Sequence, residues 1–256
     1  MRLAIAAVAV LGLLVGCSSS EKPAAAPTPA PPANAGGTVP VPTITLSTAK
    51  PTDAAEPPQI PEQATAPPPA AAGPVSAKNL PAAAKLGAGW KTYTDPGGAE
   101  AGFQGNETWT RRREAHQAAF EALPIGCAKQ LPKDSLPVPQ HALQGSYRTS
   151  RATPATALVL RFGDADKATT YYRGYQARMT ACGNDANAQL AVQSLWSEDT
   201  AAASVRRYAG AEAFVEVSVV QGATVALLAA ESAAPAGETA WARSVVPELR
   251  AVIDSP

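Results

Sequence analysis

Glu212-Ala213-Phe214-Val215-Glu216-Val217-Ser218-Val219-Val220, a turn at Gly222, and then Thr224-Val225-Ala226-Leu227-Leu228-Ala229-Ala230-Glu231 decide the fold class of this chain. Successive side chains of an extended strand point to opposite faces. Val215, Val217 and Val219 therefore share one face, and Phe214, Glu216 and Ser218 share the other, the alternation of a half-buried strand. Two such runs joined by a short turn can pair only antiparallel, because a parallel pair needs a crossover of a dozen residues or more. The same signal repeats upstream. Leu190 to Ser197 and Ala202 to Tyr208 read as strands, with Gly210 at the turn that follows. Ala142 to Arg151 and Ala155 to Phe162 read as a hairpin about Thr153-Pro154, with Leu158, Leu160 and Phe162 on one face. Strands in runs, rather than alternating with helices, predict an α+β domain. The expected core is an antiparallel twisted sheet of about five to six strands flanked by helices.

The helices are marked by period and punctuation. Asp164 or Asp166 is placed to cap a helix that runs to Cys182. Along it Ala168, Tyr172, Tyr175, Met179 and Cys182 recur at spacings of three and four, so Cys182 ends the core-facing stripe. A last helix is predicted over Thr239 to Ile253, with Trp241, Val245, Leu249 and Val252 near one face. Pro247 is expected to kink it or to mark its restart. Leu80 to Leu86 predicts a short helix with Pro81 in its first turn and Gly87 and Gly89 beyond it. Glu114 to Leu123 predicts another, ended by Pro124.

The first 77 residues have a different character. Arg2 precedes Leu3 to Val15, a run without any charge. A membrane-spanning helix needs about 20 apolar residues, so this run has the length of a signal-peptide core instead. It closes on Leu14-Val15-Gly16-Cys17, which resembles the lipobox of bacterial lipoproteins. The resemblance implies removal of residues 1–16, a diacylglyceryl thioether and further acylation on Cys17, and attachment to the cell membrane on its extracytoplasmic side. A plain secretory cleavage at Ala24-Ala25-Ala26 is the competing reading, and it lies beyond the polar break at Ser18 to Lys22. From Ser18 to Ala77 the chain holds 15 of its 25 prolines and no aromatic residue. Such a segment cannot bury enough apolar surface to offset the entropy of ordering. Residues 17–77 are therefore expected to be a lipid-anchored, Pro/Ala-rich disordered linker, and 78–256 the folded domain. Val39 to Leu46 alternates, but Pro40 and Pro42 remove ladder donors. Ser47-Thr48-Ala49-Lys50 matches a Ser-x-x-Lys motif without the partner motifs that chemistry needs. Thr and Pro content also resembles that of O-glycosylated stalks.

With Cys17 lipidated, Cys127 and Cys182 remain. An even count in an exported domain reads as one disulfide, with two buried thiols as the alternative. Twenty-one basic residues balance 21 acidic ones, which argues against nucleic acid as a partner. Arg111-Arg112-Arg113 and Arg206-Arg207 read as solvated faces rather than anion sites. No Gly-x-Ser-x-Gly elbow is present, and His116 and His141 are the only histidines. His116 is placed on the Arg-rich helix and His141 in a Pro-rich turn, neither positioned for catalysis. Gly97 to Gly102 lacks the Gly-Lys-Ser/Thr of a phosphate loop. Asp164 and Asp166 do not continue into a calcium loop, and Asn106-Glu107-Thr108 is a formal sequon only. Neither enzyme chemistry nor a cofactor or metal is expected.

Leu158-Val159-Leu160-Arg161-Phe162, then Asp164 to Ala168, then a helix ending at Ala181-Cys182 resemble the extracellular sensor domains of actinobacterial serine/threonine kinases of the PknH-like group, and related actinobacterial lipoproteins. Arg206 to Val219 resembles that family's strand, turn and valine-rich strand. The resemblance spans roughly 142–253. It implies an antiparallel sheet flanked by helices around a cleft for an unidentified ligand. The second cysteine pair common in that family is absent, and there is no kinase domain. The expected function is that of a membrane-anchored lipoprotein displaying a ligand-binding, sensor-like domain. The alternative is a protein-interaction or assembly component of the cell envelope. The expected partners are the membrane, through the lipid on Cys17, and an unknown small molecule or envelope protein.

Overall fold

A computed structural model describes residues 67–94, 97–98, 103–127, 135–185 and 187–253. The segment expected to be a signal peptide, Cys17, the alternating Val39 to Leu46 and the Ser47 to Lys50 match all lie outside the described residues. In chain order the strands and helices are β1 (Trp90–Thr92), β2 (Gly97–Gly98), β3 (Phe103–Gln104), β4 (Thr110–Arg113), α1 (Ala115–Glu121), β5 (His141–Thr149), β6 (Pro154–Arg161), α2 (Ala165–Gly183), β7 (Leu190–Ser197), β8 (Ala201–Tyr208), β9 (Ala213–Gln221), β10 (Thr224–Glu231) and α3 (Thr239–Ile253).

Among the described residues, eight of these strands form one antiparallel sheet in the order β1-β5-β6-β10-β9-β8-β7. β4 pairs with β5 as well, through Ala142 to Gly145, while β1 takes Tyr147 to Thr149. The six expected strands are present, and β1 and β4 extend the sheet beyond the expected count. β4 is the run Arg111-Arg112-Arg113, whose charge concealed a strand. Leu80 to Leu86 is not a helix. Two 3-10 turns, Ala77–Asn79 and Ala83–Lys85, stand on either side of Pro81, which cannot donate the hydrogen bond a continuous helix needs there.

Both faces of the sheet are covered. On one, α3 sets Ala242, Val245, Leu249 and Ile253 against Val215, Val217, Val219, Ala226 and Leu228. α3 runs through Pro247 without restarting. On the other face, α2 sets Tyr171, Tyr172, Tyr175 and Met179, with α1, against Leu160, Phe162, Val220, Val225 and Leu227. The alternation in β9 was expected to leave Glu216 and Ser218 on an open face, but they are only 6% and 2% exposed. Their face lies beneath α2, where the Ser218 hydroxyl accepts from Gln176 Nε2 at 2.8 Å.

The packed region begins before Lys78. Ala72 and Val75 are buried in the α3-side core and bridge to each other. Pro69 O accepts from Arg112 N at 2.7 Å, Ala70 O from Thr110 Oγ1 at 2.7 Å, and Pro68 O from Asn106 Nδ2 at 2.9 Å. Residues 67–75 thus form a strap along β4. Its proline-rich composition hides this, because it adds carbonyl acceptors rather than a hydrophobic pattern. Gly73, at φ +58°, lets the strap pass over His141, whose ring leaves no room for a Cβ.

Candidate functional site

α2 crosses the sheet from β10 toward β7, and its last turn lands on the outer rim of β7. Gly183 makes that landing possible, since a Cβ there would meet Val192 O at 2.8 Å. Between the last two turns of α2 and the strands β7 and β8 lies a groove of about 330 Å³. Gln176, Met179, Thr180 and Asn184 wall it on the α2 side. Gln193, Ser194 and Ser197 line it from β7, and Ala202 and Ser204 from β8. Small side chains on the sheet are what leave the volume unfilled. Between Ser194 and Trp196 the pairing with β8 shifts by one residue. This bulge directs Leu195 and Trp196 to the α3-side core, where Arg243 stacks 4.8 Å from the Trp196 ring.

No charged side chain lines the groove among the described residues. Thr180 donates to Gln176 O at 3.0 Å. The side chains of Asn184, Gln193, Ser194, Ser197 and Ser204 make no hydrogen bond within the protein among the described residues.

Cys127 and Cys182 are joined in a disulfide with Cα atoms 5.3 Å apart across 55 residues of sequence. The bridge fastens the segment after α1 to the end of α2. Gly126 O accepts from Gln189 N at 2.7 Å and Cys182 Sγ lies 3.5 Å from Leu190 O, so the bridged segment covers the start of the sheet's rim strand.

Arg206 is not on a solvated face. Its guanidinium donates to Ala122 O and Leu123 O, each at 3.2 Å, and lies 2.7 Å from Glu216 Oε2. It thereby satisfies carbonyls at the end of α1, where a helix presents partial negative charge. Burial pushes the Glu216 carboxyl up to about 8. The guanidinium opposes that shift, but buried Oε1 has no donor, so the net direction is upward. Burial likewise lowers the Arg206 pKa. The pair ties α1 to the sheet and lines none of the three clefts described here.

The other candidates resolve locally. Arg111 and Arg113 both donate to Gln144 Oε1, and Arg113 pairs with Glu121. Asp164, not Asp166, caps α2, accepting from Lys167 N at 2.8 Å. A hydrogen bond from Lys167 Nζ lowers the Asp164 pKa. His116 lies in the first turn of α1 and His141 begins β5, and neither ring meets an acid among the described residues. The sequon residue Asn106 uses its amide on Pro68 O and Thr110 O. Gly97 and Gly98 pair with β3. Among the described residues there is no cluster of three His, Cys, Asp or Glu that could hold a metal. Nor is any helix among them long and apolar enough to cross a membrane. Two further clefts exist. One, of about 530 Å³, lies between the strap and β4; the other, of about 430 Å³, lies beside Arg207 and Pro235–Gly237.

No protein-family model matches this chain, and no curated protein matches it. Among solved structures it is similar to the extracellular domain of PknH from Mycobacterium tuberculosis, with a TM-score of 0.32 and 13% sequence identity. The likeness covers 43% of this chain and 64% of that domain, less than two thirds of its length.

Proposed function

We propose that this chain is a lipid-anchored protein of the extracytoplasmic membrane face that presents a non-catalytic, ligand-binding domain. The observation that carries this reading is the division of the cysteines. Cys127 and Cys182 bridge each other, and of the chain's three cysteines only Cys17 is left, at the end of an apolar segment of signal-peptide length. Structural disulfides persist in oxidising compartments, which suits export. One myristoyl-length chain holds only marginally at about 0.8 kcal/mol per buried methylene, so two or more acyl chains on Cys17 suffice for stable attachment. The groove at the end of α2 is the candidate binding site.

Metabolic labelling with an alkyne-bearing palmitate, followed by membrane fractionation, tests the anchor. The wild type should label and sediment with membranes, and Cys17→Ala should do neither. An unlabelled wild type would refute the anchor. Thermal shift against envelope extracts tests binding, since a ligand at 100 times its Kd stabilises by about 2.7 kcal/mol. A second reading, docking of an envelope protein, is favoured by Ile125 and Tyr208, which are 47% and 45% exposed and joined by a 2.9 Å bond from Tyr208 OH to Ile125 O. A stoichiometric crosslinked partner lost in Ile125→Asp would favour that reading over the first.

A further inference from the structure

The groove at the end of α2 differs chemically from its surroundings. Elsewhere beneath α2 the sheet is covered by tyrosines and aliphatic side chains, and its polar groups there, Glu216 and Ser218, are paired with Arg206 and Gln176, whereas here it carries Ser194, Ala202 and Ser204. The walls add one carboxamide from the helix cap (Asn184), one from β7 (Gln193), and the Thr180 hydroxyl. Serine, asparagine and glutamine side chains both donate and accept hydrogen bonds. Among the described residues, the side chains of Ser194, Ser204, Asn184 and Gln193, with that of Ser197 beside them, have no partner within the protein.

From this lining we propose that the groove binds an uncharged, hydroxyl-rich ligand, a neutral saccharide. The assignment rests on the ligand-binding reading above and specifies its ligand class. A carboxylate, phosphate or ammonium buried here would meet no counter-charge among the described lining residues, and an unpaired buried charge is strongly disfavoured. A hydrocarbon chain would cover the serine and amide groups without satisfying them, at about 1–3 kcal/mol for each group left unpaired. A sugar hydroxyl, itself donor and acceptor, matches groups of the same kind. The volume, about 330 Å³, lies at the small end of the roughly 300–1,000 Å³ typical of ligand sites and suits one or two rings. Met179 and Val192 supply apolar surface for the C–H face of a ring.

The test titrates the full chain in detergent with glucose, arabinose and trehalose as neutral probes. Glucuronate and glucose 6-phosphate serve as charged counterparts and a short fatty acid as an apolar one. Binding is followed by NMR shifts of the groove amides, in the wild type and in Ser194→Tyr and Thr180→Tyr. Both substituted positions are exposed, on opposite walls, so the fold is expected to persist, with melting temperature as the check. At least one neutral sugar should bind, with an affinity at least tenfold weaker in both variants. Binding only of charged or apolar probes, lost in the variants, would overturn the saccharide class while keeping the groove as a binding site. Sugar binding that survives both substitutions would overturn the location. Silence from every probe would overturn both the saccharide class and the groove as a site.

Discussion

At the scale of single residues, two positions carry consequences out of proportion to their size. Gly183 is one. Alanine there places a methyl 2.8 Å from Val192 O, a backbone atom held in the sheet, so either the helix end or the strand must move. Overpacking of this kind costs about 1–3 kcal/mol, and urea denaturation of Gly183→Ala should show a loss of that order. Glu216 is the other. Its folded carboxyl, raised by burial to about 8 from an ordinary 4.5, holds its proton more tightly than the unfolded chain does. Between those two values the native state binds more protons, so this group's contribution to stability is fully present below about pH 4.5 and declines as pH rises through 8. Stability measured at pH 5, 6.5 and 8 should fall across the series, and Glu216→Gln should flatten that slope. An unchanged slope in Glu216→Gln would refute the shift.

At the scale of elements, α1 is the least self-sufficient piece. It has seven residues, below the length at which an isolated helix is stable in water. It is held by its caps: Glu114 accepts from His116 N and Gln117 N at one end, and Arg206 satisfies Ala122 O and Leu123 O at the other. Glu114→Ala should cost about 1 kcal/mol. Arg206→Met, which removes the donor to Glu216, Ala122 O and Leu123 O, should cost about 3–5 kcal/mol at pH 8, where Glu216 otherwise begins to ionise, and less at pH 5, where it is protonated. Chemical denaturation at the two pH values separates these effects. The bridge after α1 closes a 55-residue loop, so Cys127→Ser with Cys182→Ser should lose about 4 kcal/mol in the chain-entropy account. This element also shows what the sequence discloses. The six long strands, α2 with a cap at Asp164 or Asp166, α3 and the cysteine pair were all legible, because period and punctuation express burial directly; the choice of Asp164 needed the structure. β4 was not, because three consecutive arginines mask alternation. Nor was the burial of Glu216 and Ser218, since β9 alone does not reveal that α2 lies over its second face. The groove had no signal at all: Ser194, Ser204 and Asn184 are ordinary surface residues until the crossing of α2 leaves them together.

At the scale of the whole molecule, the sheet has two differently finished sides. On one, β1 and β4 share β5 and the strap lies along β4; on the other, the Cys127–Cys182 segment covers the start of β7. A chain beginning at Lys78 loses Ala72, Val75 and the acceptors at Pro68, Pro69 and Ala70. It should melt several degrees below one beginning at Pro67, and equal melting temperatures would show the strap to be dispensable. β4 and β7 stand six strand positions apart, about 29 Å at the usual spacing. Tension arriving through Pro67 is therefore taken up first by the carbonyl bonds to Thr110, Arg112 and Asn106. These can peel in sequence while the far side of the sheet stays at rest. If the chain is held by Cys17 as proposed, the strap would serve as a strain relief, and the domain would keep the geometry of its distant groove under a taut leash.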